Sequence, residues 1–135
     1  MITLVKSSLF TLAVITSSIS VANNISSDFL INEIKVTHKA YLQGSSEVAT
    51  YAMESLIRLL ESDQSDGLLL KTSPSSISFS YIRLGFLYEN SGLNKKADIA
   101  FSKAVASYKS PYNKSEVIPL KELKSAVKHL DALIR

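Results

Sequence analysis

The sequence predicts an all-α fold made of two antiparallel helical hairpins followed by a C-terminal helix. Apolar residues recur at intervals of three and four on either side of Gly44 and Gly92, as expected for pairs of amphipathic helices joined by a glycine turn. Shifting the sequence by 48 residues places Gly44 on Gly92 and Ala49 on Ala97. The two hairpins are therefore predicted to form an internal repeat.

Composition favours one compact domain that needs no covalent cross-link. The chain has 135 residues, of which 46% are hydrophobic and 20% are charged, which is enough apolar material for a core. It contains no cysteine. Disulfides, thiolate metal sites and cysteine nucleophiles are therefore excluded together.

The first 22 residues have the anatomy of a secretory signal peptide. Lys6 precedes a short apolar run, residues 9–15, and Ser20-Val21-Ala22 places small residues where signal peptidase cleaves. The run is much shorter than the roughly 20 apolar residues that cross a bilayer. We expect the domain at 23–135 to be exported, into the periplasm if the cell is Gram-negative, with no transmembrane segment after cleavage.

The second hairpin carries the most specific pattern. It reads Tyr81-Ile82-Arg83-Leu84-Gly85-Phe86-Leu87-Tyr88 and continues with Gly92, Ala97, Phe101 and Ala104. This segment resembles a tetratricopeptide repeat (TPR) that has Tyr in place of the first Trp. The resemblance covers residues 78–111 and departs from the family where Lys109 replaces the closing proline. It implies stacked helical hairpins that bind other proteins noncovalently.

The first hairpin, residues 30–63, resembles a degenerate copy of the same repeat. Gly44 and Met53 fit the pattern, but Glu33 stands where a large aromatic residue is expected. Residues 64–77 separate the two hairpins, and a regular repeat array has no such insertion.

The C-terminal segment predicts one amphipathic helix after Pro119. Its apolar stripe consists of Leu120, Leu123, Val127, Leu130 and Ile134, and lysines occupy the other faces. We interpret it as a helix that caps the repeat. A basic helix that lies on a membrane surface is the alternative.

The motif search does not favour an enzyme. The two histidines, His38 and His129, lack a second ligand at the spacing of a zinc-binding helix, and no nucleophile elbow or phosphate-binding glycine loop is present. We therefore predict no catalytic residue, no metal and no cofactor. Glu47, Glu54 and Glu61 repeat every seven residues and are expected to form a solvated helix face.

The resemblance points to a concave face as the binding surface, because the first helix of each hairpin lines that face in TPR proteins. Transferred by register, the candidate partner-binding residues are Ile34, His38, Tyr41, Phe79, Ile82, Arg83, Phe86 and Asn90. Arg83 is expected at a solvated edge of the groove. Because this face is unusually apolar, either a ligand or the chain itself must cover it. Both alternatives are open at this point.

These observations predict an exported TPR-like module for protein–protein interaction. One alternative is a small inhibitor or immunity-type protein of the cell envelope. Another is a binder of anionic polymer or membrane headgroups through a lysine-rich face, formed by Lys95, Lys96, Lys103 and Lys109. Nucleic-acid binding is not expected, because removing Lys6 lowers the net charge from +3 to only +2.

Overall fold

The computed structural model describes residues 25–63, 76–110, 112–113 and 115–134. These residues form five helices: α1 (Ser27–Gln43), α2 (Ser46–Ser62), α3 (Ser76–Asn90), α4 (Asn94–Ser107) and α5 (Leu120–Ile134). The predicted all-α fold with helical hairpins is confirmed. The predicted signal peptide at 1–22 and most of the predicted insertion lie outside the described residues.

The helix bounds follow the internal repeat closely. Adding 48 to the bounds of α1 and α2 gives 75–91 and 94–110, and α3 and α4 occupy 76–90 and 94–107. Burial follows the same shift, because Met53 and Phe101 occupy equivalent positions and both belong to the core. The two hairpins are therefore repeated in helix placement as well as in sequence.

Serine caps begin both helices of the first hairpin. The hydroxyl of Ser26 accepts a hydrogen bond from the Phe29 amide at 3.2 Å, and that of Ser45 accepts one from the Val48 amide at 3.3 Å. Each cap pairs an amide that has no partner within the helix. The first hairpin therefore has well-defined helix starts on both sides of its turn.

Gly92 ends α3, as the sequence predicts. Its φ of 74° lies in the left-handed region, where a side chain would be strained. The Gly92 amide donates to the Glu89 carbonyl, and the Leu93 amide donates to the Tyr88 carbonyl. This pair of hydrogen bonds is the Schellman motif, and it turns the chain directly into α4.

Close packing joins α3 to α4 around Gly85. A Cβ atom at Gly85 would overlap the ring of Phe101, so only glycine lets the two helices approach to this distance. Ala97 and Ala104 are buried at the same contact. The hydroxyl of Ser78 donates a 2.6 Å hydrogen bond to the Ala104 carbonyl, which ties the start of α3 to the end of α4.

The two hairpins stack through α2 and α3. The hydroxyl of Tyr81 donates a hydrogen bond to Glu61, and that of Tyr88 donates one to Glu54. Burial is the larger cause and the hydrogen bond to a glutamate the second cause of a raised pKa for both tyrosines. The pKa of Tyr88 is raised to about 12, and that of Tyr81 is raised by more. Of the predicted solvated glutamate face, Glu47 and Glu61 are exposed, whereas Glu54 is half-buried; Glu54 and Glu61 each accept a hydrogen bond from a tyrosine of α3.

Helix α5 runs antiparallel to α3 and packs on the second hairpin. Its start lies near the end of α3, where Lys124 Nζ is 3.3 Å from Glu89 Oε1, and its end lies near the middle, where Asp131 pairs with Arg83. The same helix also touches α4, because the Lys124 ammonium lies 3.7 Å from the centroid of the Phe101 ring. The predicted C-terminal helix thus packs on both helices of the second hairpin.

The buried face of α5 differs from the predicted apolar stripe. Leu123 and Val127 are buried as predicted, but Leu130 and Ile134 are exposed and Asp131 is buried in their place. Relative to the predicted stripe, the buried side of α5 is rotated towards Asp131, whose carboxylate accepts hydrogen bonds from Arg83.

Candidate functional site

An open cleft remains between α1, α3 and α5. It has a volume of about 430 Å³ and is lined by Tyr41, Phe86, Glu89, Asn90, Lys128, Asp131 and Ala132. Tyr41, Phe86 and Asn90 belong to the predicted partner-binding set. The cleft offers two aromatic side chains, one amide and charges of both signs, a combination suited to recognising part of a folded or extended peptide chain.

Asp131, which lines the cleft, belongs to a buried ion pair. Arg83 donates two hydrogen bonds to Asp131 Oδ1, from Nε at 3.0 Å and from Nη2 at 2.9 Å. The two side chains are only 6% and 11% exposed. The expectation that Arg83 lies at a solvated edge is therefore wrong, because α5 covers the guanidinium. Such a pair fixes the position of α5 on α3, since either charge alone would be buried without compensation.

His38 of α1 lies within electrostatic reach of this pair. Burial lowers the pKa of His38 below its ordinary value, the positive charge of Arg83 lowers it further, and the negative charge of Asp131 partly opposes both. The neutral imidazole is therefore favoured at neutral pH. This couples the first hairpin to the contact between α3 and α5.

Lysines of α5 pack over the aromatic side of the cleft. The ammonium of Lys128 lies 5.3 Å from the centroid of the Phe86 ring, and that of Lys124 lies 5.9 Å from it. Phe86 in turn meets Phe101 edge to face, with centroids 5.8 Å apart. Cation–π contacts of this kind stabilise the α5 position by about 0.5–1 kcal/mol each at exposed sites.

The eight predicted residues divide into three groups. Tyr41, Phe86 and Asn90 line the cleft. Arg83 and His38 lie next to it, in and beside the ion pair. Ile34, Phe79 and Ile82 pack in or against the core, with Ile82 completely buried. Of the two alternatives for this face, the described chain itself covers part of it, since Ile82 and Arg83 are buried whereas Asn90 is exposed.

Sequence reasoning missed the residues that α5 contributes, namely Lys128, Asp131 and Ala132. One signal could have indicated the ion pair. Asp131 follows Val127 by four residues, so it occupies the buried side of an otherwise apolar stripe. A charge at such a position requires a buried partner of opposite sign.

Within the described part of the chain, no group of three or more His, Cys, Asp or Glu residues could hold a metal ion. No helix in that part is long and apolar enough to cross a membrane. Comparisons with protein-family models, curated proteins and solved structures gave no match. The function is therefore argued from the geometry of the cleft.

Proposed function

We propose that this protein is a non-catalytic, TPR-like interaction module that binds a protein partner through the cleft between α1, α3 and α5. The observation that carries the proposal is the meeting of Tyr41, Phe86 and Asn90 at one opening. These residues come from both hairpins, so the cleft exists only when the repeats are stacked. The sequence further supports a module that acts after export.

The chemistry of the cleft favours a peptide over a strongly charged ligand. Glu89 and Asp131 are negative, whereas Lys128 and the adjoining Lys124 and Arg83 are positive, so the formal charge is only +1. A partner is then selected by hydrogen bonds and by fit against the aromatic side chains, which are frequent anchors of binding energy. The exposed amide of Asn90 can both donate to and accept from a peptide backbone.

The rival proposal of an anionic-surface binder receives less support. Of the lysines in that face, Lys96 lies 5.6 Å from the Tyr88 ring centroid and Lys103 lies 5.7 Å from that of Tyr81. These ammonium groups lie over tyrosine rings of their own hairpin. Binding of a polyanion would compete with those contacts.

Site-specific photo-crosslinking tests the proposal. A photoreactive amino acid is placed at Asn90 in the cleft, or at Ser102, which is exposed on α4, in cells that produce the protein. We expect one discrete cross-linked protein from position 90 and none from position 102. Combining Tyr41→Ala with the photoreactive amino acid at position 90 should lower the yield of the cross-linked protein while leaving the protein folded. Equal labelling from both positions, or none from 90, would contradict binding at the cleft.

A further inference from the structure

The first hairpin has an open face that its counterpart in the second hairpin does not have. In α3, Leu84 is only 6% exposed and Tyr81 reaches Glu61 of α2. The equivalent of Leu84 in α1 is Val36, which is 54% exposed. The difference arises because α2 covers this face of α3, whereas no helix of the described chain covers the same face of α1.

This open face, defined by Phe29, Val36 and Val48, is apolar. The three side chains are 50%, 54% and 56% exposed. Phe29 and Val36 are seven residues apart and so share one side of α1. The position of Val48 follows from the repeat, because its equivalent, Lys96, lies over the ring of Tyr88. Val48 therefore lies beside the last turns of α1. Contiguous exposed apolar residues of this kind mark interaction surfaces.

The opposite end of the two-hairpin stack is partly covered. Helix α4 is the equivalent of α2, and its outer side meets the start of α5, where Leu120 lines a groove with Phe101, Ser102 and Val105. Leu120 and the neighbouring Ile118 pack against the core. The outer side of α4 is thus covered only in part, since Ser102 remains exposed, whereas no helix of the described chain covers the face of α1. A contact of one face with the same face of a second copy closes after two copies instead of growing into a filament.

The charges beside Val36 match those of a second copy. Glu33 and Lys39 lie three residues before and three residues after Val36. If two α1 helices pack antiparallel with Val36 on the two-fold axis, Glu33 of each copy lies opposite Lys39 of the other. Phe29 then lies opposite the end of α1, beside which Val48 is located. Across the two-fold axis, apolar side chains contact apolar side chains, and two Glu33–Lys39 pairs of opposite charge are formed.

We propose that the protein forms a symmetric dimer in which the open faces of two copies pack together, α1 against α1. The partner of this face is a second copy of the same chain. Tyr41 lies on the other side of α1, in the cleft, so the dimer leaves both clefts accessible. The dimer stands independently of what the cleft binds.

A charge exchange measured by sedimentation velocity tests the dimer. The mass derived from the sedimentation of the wild-type protein should be twice that of the monomer. Glu33→Lys alone and Lys39→Glu alone should each shift the protein to the monomer, because like charges then face each other twice. The double variant E33K/K39E should restore the dimer, a rescue that a merely unfolded variant would not show. The control is Lys95→Glu, an exposed change on α4 that should leave the dimer intact.

Disulfide trapping provides a second readout, because the natural chain has no cysteine. Val36→Cys should cross-link to a dimer under mild oxidation, since the two sulfur atoms meet on the axis. Ile99→Cys, at a comparable 57% exposure on α4, should remain a monomer on a denaturing gel. A wild-type monomer at every concentration, an open-ended series of masses, or equal cross-linking of both cysteine variants would overturn the proposal.

Discussion

The two hairpins place different residues at two equivalent core positions and bury all of them. In the second hairpin Gly85 faces the large ring of Phe101, whereas the equivalent positions in the first hairpin hold Thr37 and Met53. All four residues are buried. Glycine opposite the large, rigid phenylalanine ring fills about the same space as threonine opposite the flexible methionine side chain. Core positions in this fold therefore specify combined volume more than residue type.

The outward positions of the hairpins differ for another reason, which is the location of α5. Arg83 of the second hairpin is buried under α5, whereas its equivalent in the first hairpin, Lys35, is exposed. The cleft-lining Phe86 likewise has His38 as its equivalent. The repeat therefore sets where a side chain lies, and the neighbouring helix determines whether that position is core or surface.

The largest expected loss of stability comes from removing the Phe101 ring, which packs against Gly85. Phe101→Ala should lower the free energy of unfolding by about 3–5 kcal/mol, because the ring fills the space that Gly85 leaves open. Met53→Ala, the same change in the first hairpin, should cost about 2–5 kcal/mol and less than the Phe101 change. Urea unfolding followed by circular dichroism measures both.

The control for this comparison is Ile99→Ala, which lies on the exposed side of α4 two residues from Phe101. It should change stability by no more than about 0.5 kcal/mol. If Phe101→Ala unfolded at the same urea concentration as Ile99→Ala, the packing of α3 on α4 would be wrong.

The next largest effect is the difference in stability between removing a buried charge and removing an exposed charge at equivalent positions of the two hairpins. Arg83→Ala should cost about 3 kcal/mol because Asp131 is then left buried without its partner. Lys35→Ala, at the equivalent exposed position, should cost about 0.5 kcal/mol or less. Thermal and urea unfolding of the two variants measure the difference.

A double variant sharpens this test. Replacing both Arg83 and Asp131 with Leu should recover most of the lost stability, since no uncompensated charge remains. Equal stability of the Arg83→Ala and Lys35→Ala variants would show that α5 does not cover the groove in solution.

Local patterns in the sequence were sufficient to predict the hairpins. Apolar spacing and the glycine turns depend on residues within a few positions of each other, and the turn at Gly92 has the positive φ that glycine adopts without strain. The shift of 48 residues then related the two hairpins as an internal repeat. These features need no knowledge of what packs against each helix.

The candidate site was less predictable because its contacts join distant parts of the chain. Asp131 pairs with Arg83 across 48 positions, and Tyr88 donates to Glu54 across 34. The spacing of apolar residues identifies an apolar stripe, but it does not show whether a charged residue beside that stripe faces the core or the solvent. The rotation of α5 and the use of two glutamates as hydrogen-bond acceptors depend on tertiary neighbours, which a single sequence does not reveal.

The smallest expected effect is a pH dependence that belongs to the first hairpin alone, because the equivalent of His38 in the second hairpin is Phe86. The folded pKa of His38 lies below its ordinary value of about 6.5, so the unfolded chain takes up a proton first as the pH falls. The stability contribution of neutral His38 is therefore complete above about pH 6.5 and is lost as the pH falls through the folded pKa.

Urea unfolding at a series of pH values between 8 and 5 measures this loss. His38→Asn should flatten the acidic part of the profile, because the replacement cannot take up a proton. His129→Asn, an exposed change on α5, is the control and should keep the loss. Arg83 and Asp131 are the charges that influence His38, so the Leu/Leu double variant should also change the profile. An acidic limb that is identical in wild type and His38→Asn would show that the coupling between α1 and the ion pair does not contribute to stability.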